Sequence, residues 1–166
     1  GTRSFAAHDD LDVVMGDYRY TISSGHGKDR KSKTYRLSYA AVRLPHAATP
    51  SVVVRPENFF DKFAGLVGFD DIDFESVEFS KKFHVGSSDK RFAYDLIDPR
   101  MMEFLLADAP KLLDIESGWV LVLEGTRRWE PREFEATLQW LGSWFERWPT
   151  HVERSLAEGG YVMEGR

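Results

Sequence analysis

The chain has 166 residues, a length that fits one domain burying roughly 70% of the surface its unfolded chain would expose. Its composition, 42% hydrophobic, 14% aromatic and 30% charged, is too apolar for a disordered segment, and a net charge of −5 argues against a broad footprint for duplex nucleic acid. The absence of cysteine excludes disulfides, thiolate metal sites, iron–sulfur clusters and thiol nucleophiles, and is compatible with a reducing, cytoplasmic setting.

Residues 17–23 place Tyr18, Tyr20 and Ile22 on one face of a period-two strand, and residues 34–44 repeat the alternation with Tyr35, Leu37, Tyr39 and Ala41. The two are expected to pair antiparallel with their tyrosines turned inward. The polar segment from Ser24 to Lys33 between them is too long for a tight turn. Residues 51–55 form a short β-branched run suited to a third strand, closed by Pro56. From Glu57 the spacing turns helical, with Phe59, Phe60, Phe63, Ala64, Leu66 and Val67 on a stripe and Gly68 as its stop.

Residues 74–85 are predicted as a strand through Val77, Phe79, Phe83 and Val85, followed by a turn and a partner strand through Phe92, Tyr94 and Leu96. Asp98-Pro99 then signals a helix start, with Met101, Met102, Leu105 and Leu106 facing inward. Short strands near Leu112–Glu116 and Trp119–Glu124 flank Ser117-Gly118. From Pro131 to Trp148, Phe134, Leu138, Leu141, Phe145 and Trp148 share one helical stripe that Trp140 and Trp144 widen.

The expected architecture is α+β: an antiparallel sheet, or sheets, of six to seven strands packed with two to three helices, one of them long and C-terminal. Residues 1–166 read as a single soluble domain, with 1–12 and 150–166 as candidate flexible ends. No apolar run reaches the roughly 18–20 residues that span a bilayer, and the start lacks a signal-peptide pattern. It also lacks Met, as a piece of a longer protein would, leaving room for a membrane anchor elsewhere.

No constellation for catalysis or metal binding emerges. The histidines His8, His26, His46, His84 and His151 fall into no metal-ligand spacing, His84 beside a charged turn being the most notable. Asp70, Asp71, Asp73, Glu75 and Glu78 lack the glycine-centred pattern of a calcium loop and read as a solvated face. No cofactor is implied. Two binding surfaces stand out. Lys28, Arg30, Lys31, Lys33 and Arg36 face only Asp29, a balance of about +4 that would suit a phosphate-bearing ligand or nucleotide stacked on Tyr18, Tyr20 or Tyr35. Trp140 and Trp144 belong either to the core or to an interface with a protein partner or a second copy.

The stretch Phe79-Ser-Lys-Lys-Phe83-His-Val85-Gly-Ser-Ser-Asp89-Lys-Arg-Phe-Ala93-Tyr-Asp-Leu96-Ile-Asp-Pro99-Arg-Met-Met102-Glu-Phe-Leu105-Leu resembles a family of uncharacterised bacterial proteins, a domain of unknown function. Members carry two membrane-spanning segments ahead of a soluble domain. The resemblance implies a membrane-tethered module on the cytoplasmic face of the membrane and transfers no active site. The composite expectation is a non-enzymatic binding module, with ligand or nucleotide binding by the hairpin as the alternative.

Overall fold

The computed structural model of the chain describes residues 11–46, 48–57, 59, 69 and 71–161. Six strands form one antiparallel sheet: β1 (Asp12–Ser24), β2 (Lys31–Arg43), β3 (Val52–Pro56), β4 (Phe83–Ser87), β5 (Leu112–Glu116) and β6 (Trp119–Leu123), in the order β1-β2-β6-β5-β3-β4. Five helices accompany it: α1 (Val77–Lys82), α2 (Lys90–Leu96), α3 (Pro99–Ala107), α4 (Pro131–Phe145) and α5 (Thr150–Ala157). The fold is α+β, and among the described residues there is one sheet, with more helices than the expected two to three. The helical stripe expected from Glu57 to Gly68 lies, except for Glu57 and Phe59, outside the described residues.

Period-two strands place alternate residues on opposite faces. Ala40 and Val42 of β2, Val120 and Val122 of β6, Leu113 and Ile115 of β5, Val52 and Val54 of β3, and Val85 of β4 all turn to the helical side, where the main core gathers. The opposite face holds a smaller cluster of Leu37, Val53, Leu112 and Leu123, with Tyr20, Tyr39, Phe59 and Leu121 against it. A two-residue turn joins β5 to β6, with Ser117 (φ 50°) and Gly118 (φ 79°) both left-handed, as the twist of a tight hairpin demands.

One expected strand, through Phe92, Tyr94 and Leu96, is a helix, and the one expected over 74–85 is helical up to Lys82 and a strand from Phe83. Ser76 caps α1 by accepting the Phe79 N–H at 3.2 Å, and Phe83 and Val85 begin a strand only after that helix ends. Asp89 caps α2 by accepting the Phe92 N–H at 3.1 Å; Phe92, Ala93 and Leu96 are buried at i, i+1 and i+4, a helical spacing, while Tyr94 is exposed. The Asp98-Pro99 start holds: Asp98 accepts the Met101 N–H at 2.9 Å, and Met101 and Leu105 are fully packed.

On α4 the buried stripe is Thr137, Leu141, Trp144 and Phe145, rotated from the expected one, so Leu138 is exposed. The tail from residue 150, a candidate short helix or flexible end, forms α5, with Val152, Leu156 and Tyr161 in the core and the Tyr161 hydroxyl donating to Asp95 at 2.9 Å.

Candidate functional site

The β1–β2 ribbon is the feature that the core does not explain. β1 pairs with β2 over thirteen unbulged rungs, Asp12↔Arg43 to Ser24↔Lys31, yet β6 covers β2 only from Tyr39 to Arg43. The eight rungs from Asp17↔Ser38 outward have no third strand. At about 3.3 Å per residue they carry the ribbon roughly 26 Å past the body of the sheet. The tip, closed by a 3₁₀ turn at Gly27–Asp29, is shorter than expected, because Ser24 and Lys31–Lys33 are in strands.

The chain clasps the ribbon at its root. Ser38 N–H donates to the Arg127 carbonyl at 3.0 Å, and the Ser38 hydroxyl donates to Asp17 while accepting the Trp129 N–H at 2.8 Å. Arg128 Nε reaches Asp17 at 2.8 Å, and the Ser38 hydroxyl followed by Arg128 holds the Asp17 carboxyl below its usual range. Arg127 is itself fixed by two hydrogen bonds to Glu133, at 2.6 and 3.0 Å, where Glu133 and Glu130 form the capping box of α4. Glu133 is thereby held down to about 2, chiefly by Arg127.

Above the root the two faces of the ribbon differ. One carries Tyr18, Tyr20 and Ile22 of β1 with Lys31, Lys33, Tyr35 and Leu37 of β2. Tyr20 stacks on Tyr35 at 5.1 Å and on Tyr18 at 6.1 Å, and Lys33 Nζ lies 5.1 Å from the Tyr35 ring centre. Of the tyrosines expected to turn inward, Tyr20 and Tyr39 pack against the smaller cluster and Tyr35 is partly buried, whereas Tyr18 is 57% exposed, as is Ile22 at 51%, because the strands outrun the sheet that would cover them. The other face is a ladder of hydroxyls, Thr21 with Thr34 at 2.9 Å and Ser23 with Ser32 at 2.8 Å, and below it Arg19 stands directly across from Arg36.

The five cations singled out in the sequence are therefore not one site. Lys28 and Arg30 sit at the tip, Lys31 and Lys33 on the tyrosine face, and Arg36 on the hydroxyl face beside Arg19. Sequence reasoning passed over Arg19, although the same period-two count that aligned the tyrosines puts Arg19 opposite Arg36. Of the two places open to the tryptophans, core or interface, Trp144 takes the core. Trp144 is 1% exposed, packed on Phe145 and Trp148, and Trp140 is partly buried, stacked on Phe104 and donating from Nε1 to the Asp108 carbonyl at 3.0 Å. Trp144 is core and is closed to any partner.

Titratable side chains also gather elsewhere among the described residues. His84 Nδ1 is 3.1 Å from Asp71, whose carboxylate also accepts the Val85 N–H at 3.2 Å, and with Glu57 these groups offer ligand atoms within 4.8 Å of one another. Arg55, opposite His84 on β3 and nearly buried, already brings a positive charge that feels both Glu57 and Asp71. A divalent ion would have to enter against that guanidinium. On the helical side, Asp108, Glu124, Arg127, Glu133, Thr137 and Trp140 line an open cleft of about 220 Å³. Burial, then the charge of Asp108, lifts Glu124 to about 7, with Lys111 and Arg127 opposing and Glu133 adding.

These features define an α+β domain with a clasped, projecting two-stranded arm. No family model matches the chain, and no curated protein matches it. Among solved structures it is similar to the mycobacterial trehalose monomycolate transport factor A, with 15% sequence identity and a TM-score of 0.48 over 87% of this chain and 78% of that one. Among the described residues, no helix is long and apolar enough to cross a membrane.

Proposed function

We propose that this chain is a non-enzymatic protein-interaction module that docks partners by adding a strand to the outer edge of β1. The observation that carries the reading is the ribbon itself: β1 is thirteen residues long, lies at the sheet edge, and has no neighbour on its outer side among the described residues. Long edge strands are a hazard that proteins blunt with proline, bulges or charged side chains; β1 has no proline and no bulge, and its charges are confined to Asp12, Asp17 and Arg19. An isolated two-stranded hairpin is only marginally stable in water, so the outer rungs, beyond the clasp at Ser38 and the packing of Leu37 and Tyr20, favour a partner that completes them. Main-chain pairing would supply affinity and the exposed Tyr18 and Ile22 specificity.

The free edge also argues against insertion of the ribbon into lipid, where unpaired N–H and C=O groups cost several kcal/mol each, on the order of the loss for any unsatisfied buried amide. The membrane-tethered, cytoplasm-facing setting that the family resemblance implies belongs to the same proposal, the anchor lying outside this domain. Fractionation of cells producing the whole gene product tests that setting, and recovery in the soluble fraction would oppose it.

The docking reading is tested by a photo-crosslinking amino acid placed at Tyr18 or Thr21 on the ribbon, and at Val77 or Leu138 on the exposed helical side, in cells producing the chain. Adducts should form from the ribbon positions alone. Equal adducts from Val77 and Leu138 would refute it.

A phosphate-bearing ligand is the second reading, favoured by Arg19 and Arg36 standing on the same cross-strand rung. Thermal-shift titration with nucleotides and inorganic phosphate tests it. A flat response would remove it.

A further inference from the structure

We infer that the strand added to β1 is β1 of a second copy, antiparallel, with Tyr18 facing Tyr18 across a two-fold axis. This rests on the reading of β1 as a docking edge and names its occupant.

The hydrogen-bond parity of β1 follows from its neighbour. Ser38 N–H reaches Arg127 and Leu44 N–H reaches Gly118, so the even residues of β2 bond away from β1. Their rung partners on β1 are the odd residues, Asp17 opposite Ser38 and Met15 opposite Ala40. In an antiparallel pair such residues direct their N–H and C=O to the other side, so Val13, Met15, Asp17, Arg19, Thr21 and Ser23 present theirs at the free edge. Any added antiparallel strand must match odd to odd, which rules out half of the registers for a second copy.

Charge decides among the rest. Centring the pair on Asp17 sets two aspartates against each other, and centring on Arg19 sets two arginines against each other, both unfavourable for directly opposed side chains. Centring on Tyr18 sets Asp17 opposite Arg19 of the second copy, and by symmetry Arg19 opposite Asp17. In that register Val14 meets Ile22 twice and Gly16 meets Tyr20 twice, joining the exposed apolar side chains of the tyrosine face. The Tyr39 ring already leans over Gly16, its nearest atoms about 3.8 Å from where a Cβ would stand, so Tyr20 of the second copy would arrive beside an aromatic surface.

The same register answers the like-charge rung within one chain. Arg19 and Arg36 face each other with no carboxylate on their own rung. Pairing on Tyr18 extends that row to Asp17 and Ser38 of the second copy, placing a carboxylate next to Arg19. The Asp17 side chain is 39% exposed beside Arg128, which leaves it room to accept a second guanidinium. The interface is isologous, one patch used twice, and the two sheets become one.

The test uses the 166-residue chain. Light scattering after gel filtration should give twice the 19.1 kDa monomer mass at micromolar concentration. Asp17→Arg sets arginine against Arg19 and Arg19→Asp sets aspartate against Asp17, so each variant alone should be monomeric; Asp17→Arg also gives up the Ser38 and Arg128 contacts at the root, so Arg19→Asp is the variant that should keep an unchanged CD spectrum. Mixed one to one, they should recover the dimer, because each charge then meets its opposite. The chain has no cysteine, so Tyr18→Cys can bridge only to its own symmetry mate, and non-hydrogen-bonded pairs about 4.5 Å apart at Cα suit a disulfide. It should crosslink on mild oxidation, whereas Leu138→Cys should not. A wild-type chain that stays monomeric at 500 μM would overturn the inference, and so would a dimer that Tyr18→Cys does not trap. If the chain is monomeric while Tyr18 and Thr21 still crosslink to other proteins, the docking edge stands and its occupant is a different chain.

Discussion

Replacing Trp144 with alanine separates the two roles open to the α4 tryptophans in the sequence. The side chain is 1% exposed and touches three aromatic rings, with centroids of Phe145 at 4.9 Å, Trp148 at 5.2 Å and Trp140 at 6.1 Å. Truncating a buried tryptophan leaves a cavity that neighbours fill only partly, at a cost of about 3–5 kcal/mol. In a domain of this size each kcal/mol moves Tm by roughly 2–4 °C, so a loss near the middle of that range lowers Tm by about 8–16 °C. A tryptophan that served only as an exposed docking group would cost within about 0.5 kcal/mol. Urea unfolding followed by far-UV CD distinguishes these, with Leu138→Ala, exposed on the same helix, as control. A midpoint unchanged for Trp144→Ala, with the same slope as wild type, would refute the packing on which the α4 assignment rests.

Glu124 and the Arg55 cluster give two further predictions. The folded-state Glu124 carboxyl, raised to about 7 from 4.5, keeps its proton over a pH range where the unfolded chain has lost it. Stability should therefore fall as pH rises between those values. The loss is at most about 2 kcal/mol once the partial exposure of the group is discounted. Glu124→Gln should flatten that slope in urea midpoints measured at pH 4.5 and 7.5, and an unchanged slope would clear Glu124 of the effect. At Glu57, Asp71 and His84, the Arg55 charge should keep Zn²⁺ out, so 1 mM zinc should leave Tm within about 1 °C, in line with the small effect expected for ligand well below its Kd. A rise of several degrees that His84→Ala abolishes would show that the ion enters.

What the sequence made legible followed from regular spacing. Tyr35, Leu37 and Tyr39 alternate cleanly, and β2 runs where they do; Asp98-Pro99 carries its own capping chemistry, and α3 starts there. Spacing misled where aromatic residues happened to sit two apart. Phe92, Tyr94 and Leu96 imitate a strand, but the Asp89 cap and the burial of Ala93 belong to a helix, and tertiary packing selects the helical periodicity. The same alternation that located β1 could not tell an inward tyrosine from an outward one, because that depends on where β6 ends. Likewise no spacing could bring Asp71 to His84 or Asp108 to Glu124; those meetings are set by how loops and helix ends pack on the sheet.

Amide hydrogen exchange along β1 tests the ribbon argument most directly. The parity drawn from Ser38 and Leu44 makes one set of amides, Tyr18, Tyr20 and Ile22, donors to β2, and the other set, Asp17, Arg19 and Thr21, donors to the open edge. In the monomeric Arg19→Asp variant, which leaves the root clasp of Asp17 intact, the even set should be protected and the odd set should exchange at close to the free-peptide rate. Raising the wild-type concentration should leave the even set unchanged and slow the odd set, because only the odd amides gain partners from an added strand. Packing through the tyrosine face without strand addition would instead slow both sets together. An alternation that does not change with concentration would mean that β1 keeps its free edge, and that the cross-chain pairing of Asp17 with Arg19 does not form.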